Sequence, residues 1–251
     1  MRECVGHSQE LTIRNGTVLY RASRSFEKTE YLAALKDVSL SISPGECFGL
    51  IGESGGGKST LGRCFARLQK LTAGEILLNG HPSCSFSAKS FHRKVQMIFQ
   101  SPAEALDPSQ TIYSILAEPL RIHFPGLGRR ERKRRIFELL DLVRLSQKLL
   151  NSKPLALSGG QRQRVAIARA LAVGPNFLIC DEVVSALDSD TKKEIFNLLE
   201  FLRKTNGTGI LFISHDTNAI SQLCPRAAIL HWGKLLATIP SQELPRTPKF
   251  D

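Results

Sequence analysis

The sequence predicts an α/β chain with a largely parallel sheet covered by helices, an antiparallel β layer ahead of it, and an inserted helical subdomain. Three observations carry that prediction. Apolar runs of strand length alternate with helical patterns, as they do when helices cross between parallel strands. The first strand-like segments are instead short, alternating and separated by the turn signals Pro44-Gly45 and Asn79-Gly80, as in an antiparallel layer. From about Ser101 to Leu155 the strand series stops and only helical patterns remain.

In chain order, Val18–Tyr20, Val38–Ile42 and Gly74–Leu78 are the antiparallel candidates. Cys47–Ile51, Val95–Phe99, Phe177–Cys180 and Ile210–Ser214 are apolar throughout, the pattern of buried strands. Helices are expected to begin near Lys58, near Arg130, at Gly159 and near Thr191. The insert is entered at Ser101-Pro102 and left near Lys153-Pro154, because proline disfavours a helical residue before it. The expectation is one domain over 1–251: a core from 17–100 and 156–239, the insert at 101–155, and a Pro-rich, loosely ordered tail at 240–251. There are no internal repeats or low-complexity tracts.

A chain of 251 residues is ample to bury a core, and its 42% hydrophobic and 23% charged residues are ordinary for a globular protein. No stretch approaches the roughly 18–20 uninterrupted apolar residues that span a bilayer. The first ten residues, MRECVGHSQE, hold no apolar segment of the kind that directs secretion, so a cytoplasmic location is expected. Net charge is +11 and the isoelectric point about 9.6, which favours anionic partners without choosing among nucleotides, nucleic acid and a membrane surface. The basic run Arg129–Arg135 reads as a solvated helix face, since no aromatics interleave it as on a single-strand stacking platform. Cys4, Cys47, Cys64, Cys84, Cys180 and Cys224 form no C-x-x-C pair and read as reduced core or surface thiols.

Gly52-Glu53-Ser54-Gly55-Gly56-Gly57-Lys58-Ser59 fits G-x-x-x-x-G-K-[ST] without departure, and Thr60 follows it. Glycines let successive backbone N–H groups converge on an anion, and the helix after them turns its positive end to the same phosphates. Lys58 would reach the β and γ oxygens and Ser59 would ligate Mg²⁺. The apolar run before and the amphipathic run from Ser59 to Leu68 after supply the strand–loop–helix setting of a P-loop NTPase. The loop alone says nucleotide phosphates; a kinase, a GTPase or a helicase could carry it.

Phe177–Cys180 ends in Asp181-Glu182, carboxylates at a strand's C-terminal end, where a magnesium ligand and a group that polarises water are wanted. Leu157-Ser158-Gly159-Gly160-Gln161 then opens the strongly helical Arg162–Val173, a second glycine-softened helix start suited to an anion. Here the chain resembles the ABC ATPase family, whose signature motif is this LSGGQ and whose motif order it shares. The resemblance runs from about residue 17 to 239. It implies a Q-loop glutamine at Gln100 that touches Mg²⁺ and water, a D-loop at Ser185-Ala186-Leu187-Asp188, and a switch histidine at His215 near the γ-phosphate. Phe26 is the aromatic chosen to stack on adenine, with Tyr31 and Tyr20 as alternatives. Val183-Val184 stands where many members have Pro-Thr.

The resemblance further implies a head-to-tail dimer in which each ATP lies between one chain's Lys58 and Ser59 and the partner's Ser158, Gly160 and Gln161. Asp188 belongs to the same nucleotide-side set. Water polarised by Glu182 and positioned with His215 would hydrolyse the γ-phosphate. The segment from Phe99-Gln100-Ser101-Pro102 through Ala105-Leu106-Asp107-Pro108 to Glu118-Pro119-Leu120 resembles the oligopeptide, dipeptide and nickel importer branch. That branch implies membrane permease subunits, a second ATP-binding subunit (a non-identical paralogue or the same chain), and indirectly an extracytoplasmic binding protein. The chain would then sit peripherally on the cytoplasmic face of the inner membrane. Many members of the branch have a C-terminal extension that does not follow Trp232-Gly233-Lys234 here. The other class weighed is an ABC-type ATPase acting on nucleic acid or the ribosome; one cassette without sustained heptads speaks against it, and no nucleic-acid partner is expected.

Overall fold

The computed structural model describes residues 9–24, 29–185 and 187–244. Two sheets form. The first is antiparallel, in the order β2-β1-β4-β5, from β1 (Leu11–Arg24), β2 (Thr29–Ile42), β4 (Ala73–Leu78) and the two-residue β5 (His81–Pro82). The second has the order β10-β9-β3-β8-β7-β6, from β3 (Cys47–Ile51), β6 (Val95–Ile98), β7 (Phe177–Asp181), β8 (Gly209–Ile213), β9 (Arg226–His231) and β10 (Lys234–Pro240). Every pairing in it is parallel except the edge strand β10. The helices are α1 (Lys58–Phe65), α2 (Ala88–Lys94), α3 (Ile112–His123), α4 (Arg129–Leu142), α5 (Gly159–Leu171), α6 (Ser189–Asn206) and α7 (Thr217–Leu223). This is the fold class expected.

The central strands have no polar face because each sheet face meets a separate core. Along β3, Phe48 and Leu50 point into a core shared with β1, β2 and α1, while Cys47 and Ile51 point into one shared with α3, α4, α5 and α6. Phe177 and Ile179 alternate with Leu178 and Cys180 in the same way on β7. That period-2 split across two apolar layers is why the runs read as continuous.

Several elements extend beyond the expectation. β1 and β2 are each 14 residues long, with register shifts around Gly16 that break the alternation. The β9–β10 hairpin and α7 had not been foreseen. The tail expected to be loose begins as an ordered turn, Ser241–Glu243: Ser221 Oγ donates to Ser241 O at 2.9 Å, and Leu244 is buried against the core. Residues 245–251 lie outside the described residues.

The basic run lies on α4, where Lys133, Arg134 and Arg135 are engaged locally. Glu131 accepts from Arg134 and Arg135, Arg134 also reaches Glu138, and Lys133 stacks over Phe137. The Glu131 carboxyl, hydrogen-bonded to Arg134, is held down at about 2. Among the described residues no helix is long and apolar enough to cross a membrane.

Candidate functional site

Strands β3, β7 and β8 run parallel, so their C-terminal ends converge on one edge, where open α/β sheets take their ligands. The loop after β3 wraps a phosphate-sized hollow. Gly57 caps α1 in a left-handed conformation, φ +102, and a Cβ there would lie 2.4 Å from Ala34 O. A Cβ on Gly52 would lie 2.1 Å from Leu230 O. Only glycine admits that approach.

Lys58 is 7% exposed, and its ammonium donates to Gly52 O and Glu53 O, both at 2.8 Å, which holds it across the mouth of the loop. Burial lowers its pKa, against the opposing pull of Glu182, Asp181 and Glu53. That burial leaves it poised for an anionic ligand, which would restore the compensation water no longer provides.

Ser59 and Asp181 meet across 122 positions of sequence, with Ser59 Oγ donating to Asp181 Oδ1 at 3.1 Å. Asp181 is 3% exposed; burial raises its pKa and the Ser59 hydrogen bond opposes the rise. Glu182 follows with φ +51, an uncommon conformation for a non-glycine residue. It is held there by its own N–H to Ile213 O (3.0 Å) and by Ser185 Oγ donating to its carbonyl (2.9 Å). The turn aims the carboxylate sideways at His215, whose Nδ1 lies 2.9 Å from both carboxylate oxygens. Val183 and Val184, in place of the more usual pair, are buried in the core behind this turn.

A cavity of about 530 Å³ joins these groups. Ser54, Gly55, Gly57, Lys58, Ser59 and Thr60 form its floor, Gln100, Glu182 and His215 one wall, and Tyr20, Leu32 and Ala34 the other. The apolar wall had no signal in the sequence beyond Tyr20 as an alternative stacking aromatic. Phe26, the first choice, lies outside the described residues. Tyr31 does not line the cavity. Tyr20 does, its hydroxyl donating to Gln69 Oε1 at 3.2 Å. The β9–β10 turn was also missed: Gly233 N donates to Gly56 O at 3.0 Å and so braces the phosphate loop from behind.

The cavity has room for a nucleoside triphosphate, with Tyr20 at one end and the phosphate loop at the other. Ser59 and Asp181, which meet at 3.1 Å, and Gln100 on the cavity wall carry hard oxygens of the kind that would suit a magnesium ion accompanying the phosphates. Among the described residues no cluster of three or more His, Cys, Asp or Glu could hold a metal by itself. Magnesium here would share its coordination between protein, phosphate and water.

The signature residues lie outside this cavity. Ser158 caps α5 in a reciprocal box with Gln161: Gln161 N donates to Ser158 Oγ (3.2 Å) and Ser158 N to Gln161 Oε1 (3.0 Å). The Ser158 hydroxyl accepts there, so its own proton remains available, and the first-turn amides of Gly159 and Gly160 have no intrahelical acceptor. Asp188 is likewise away from the cavity and caps α6, accepting from Thr191 N (2.9 Å) and Thr191 Oγ1 (2.8 Å). One chain thus presents a phosphate site and, separately, an exposed anion-seeking helix start. Five cysteines are described and all are free; Cys47 and Cys224 lie with sulfurs 3.1 Å apart in the core.

The ABC transporter family model matches residues 35–185. The chain is 43% identical over 219 residues to an oligopeptide transport ATP-binding protein, OppF, of Bacillus subtilis, covering 86% of this chain and 72% of that one. It is 40% identical to OppF of Streptococcus mutans, over 88% of this chain and 73% of the relative. Among solved structures, the dimeric bacterial ABC transporter cassette MJ0796 superposes with a TM-score of 0.83 at 31% identity, covering 93% of this chain and all of that one. A post-hydrolysis MJ0796 dimer bound to ADP and Pi matches equally well. The chain belongs to the ABC transporter family, as an ATP-binding cassette with the apparatus of an ATPase.

Proposed function

We propose that this chain is the ATPase of an oligopeptide importer, working on the cytoplasmic face of the membrane with permease subunits and a second ATP-binding subunit. The observation that carries the proposal is the convergence of Lys58, Ser59, Glu182 and His215 on one cavity, in a chain whose relatives are named for oligopeptide transport over most of its length.

The chemistry assigned to the residues is hydrolysis of the γ-phosphate. Loop amides and Lys58 bind and orient the triphosphate. Glu182 accepts a proton from the attacking water, which bonds to the γ-phosphorus as the bond to ADP breaks. His215, hydrogen-bonded to Glu182, fixes the direction of that carboxylate. Bound magnesium, held by Ser59 with Asp181 and Gln100, would offset phosphate charge. The partner's α5 start closes the site, so that the site is complete only in a pair. That partner is a paralogue or a second copy of this chain.

Gln100 supports the link to a permease. It lines the ATP cavity, while Gln96, Met97 and Phe99, just before it on and after β6, line a separate groove of about 300 Å³ with Leu68, His92, Ala105 and Arg169. A permease helix seated there would feel changes at the γ-phosphate through a few residues of one strand. An extracytoplasmic binding protein would act only through the permease, and nothing in this site could read the cargo.

The test is co-purification from membranes together with peptide uptake. The proposal expects the chain to bring down permease subunits and deletion to abolish uptake of labelled oligopeptides. Uptake of nickel complexes instead would reassign the cargo. A stable partner that is only nucleic acid or ribosome would overturn the transport role.

A further inference from the structure

Outside the ATP cavity, one charged cluster joins three elements: the end of α4, α5 and α6. Glu194 on α6 accepts from Arg164 Nη2 on α5 and from Arg144 Nη1 (3.1 Å), just past the end of α4. Arg164 also donates through Nη1 to Val143 O at 3.4 Å. Arg144 is fixed by the helix end itself: it takes the left-handed conformation, φ +53, and Leu145 N closes back on Leu140 O at 2.8 Å.

The seam these charges cross is not continuously packed. A cavity of about 330 Å³, lined by Leu142, Ile195, Leu198 and Phe201, opens beside them, so charge joins the insert to α6 where apolar contact is incomplete. Toward their N-termini, the first turns of α5 and α6 lie against each other. A Cβ on Gly160 would be 3.7 Å from Thr191 Cγ2 and 3.9 Å from Leu187 Cδ2. Exposed ion pairs contribute little, but the Arg164 side chain is only 15% exposed and one carboxylate serves two guanidiniums. Burial pushes the Glu194 carboxyl up, and the two arginines outweigh it, leaving it below the usual range and ionised at neutral pH.

We propose that Glu194 is a positioning residue, a latch that ties the signature helix, the helical insert and α6 into one rigid unit for engaging the partner's ATP. The latch rests on the two-subunit reading above. It touches neither nucleotide nor water. Its loss leaves ATP binding at the chain's own phosphate loop intact and weakens the step in which two chains close.

The test uses Glu182→Gln as parent, in which an ATP-bound pair is expected to accumulate, and adds Glu194→Gln. Light scattering with ATP gives the dimer dissociation constant, and a fluorescent ATP analogue gives affinity at the phosphate loop. The latch predicts dimerisation weakened about tenfold, or about 1.4 kcal/mol, with analogue affinity and melting temperature close to the parent's. Exchanging all three charges, Arg164→Glu and Arg144→Glu with Glu194→Arg, restores most of the dimer. A merely structural role would lower the melting temperature and leave dimerisation of the folded fraction unchanged. Equal dimerisation of parent and Glu194→Gln overturns the latch alone. A parent that stays monomeric with ATP moves the same measurement to its pair with the co-purified ATP-binding paralogue, and absence of an ATP-dependent pair there as well overturns the two-subunit reading and the latch with it. Should Glu194→Gln unfold, the charge-exchanged variant decides: a folded protein without restored dimerisation overturns the latch.

Discussion

Two glycines of the phosphate loop separate steric need from conformational need. Gly57 has φ +102, and a Cβ there would meet Ala34 O at 2.4 Å and Leu35 Cδ2 at 3.2 Å. Carbon–oxygen contacts are normally about 3.3–3.6 Å, so Gly57→Ala forces the loop and β2 apart by on the order of 1 Å. That displacement falls on the amides that cradle the phosphates and on the wall that meets the base. Misplacement of this size typically costs about 10²-fold in rate. Gly55 also has a positive φ, +78, but a Cβ there has nothing within 4 Å. Gly55→Ala therefore carries only the left-handed penalty of about 1–2 kcal/mol, taken from stability. The assay is kcat/KM for ATP on both variants, beside thermal unfolding of each. Gly57→Ala is expected to fall about 10²-fold in kcat/KM, and Gly55→Ala to melt lower while retaining most activity. Equal losses in both, or a fully active Gly57→Ala, would refute the steric account of the loop.

Tyr20→Ala should raise the KM for ATP with kcat little changed, because a stacked base is worth about 1–3 kcal/mol; if Phe26→Ala does so instead, the base stacks on Phe26. Glu200 gives a pH prediction. Hydrogen bonds from Arg203 and Lys204 hold its carboxyl at about 2, below the ordinary 4.5. A depressed carboxylate contributes stability above its unfolded pKa and loses it as pH falls toward the folded one. Unfolding midpoints of Glu200→Gln should therefore depend less steeply on pH between 4.5 and about 2 than the wild type's, and parallel curves would show that the pair contributes nothing.

The buried strands and the phosphate loop could be read from sequence because their constraints are local. Cys47–Ile51 is apolar on both faces, and the loop must be glycine-rich wherever it occurs. The start of β1 could not: Asn15-Gly16 has the composition of a turn but serves as a register shift within a strand, with Asn15 at φ +50. The β9–β10 hairpin escaped notice because its strands alternate exposed and half-buried residues along a sheet edge, a weak pattern without its neighbours. At the site, motifs identified Lys58, Ser59, Asp181, Glu182 and His215, yet motif spacing carries no trace of tertiary neighbours. Leu32, Ala34 and Gly233 enter the site through the approach of the two sheets. Ser158 and Gln161 were recognised by motif, and their mutual cap within one chain became visible only in three dimensions.

Glu182, turned onto His215 at the end of β7, is assigned as the group that activates water. Steady-state phosphate release by wild type and Glu182→Gln, with ATP binding measured on the same samples, tests it most directly. Near-equal binding is expected, with a kcat lower by about 10²–10⁴-fold in the variant. A Glu182→Gln protein that binds ATP and hydrolyses it at the wild-type rate would contradict it.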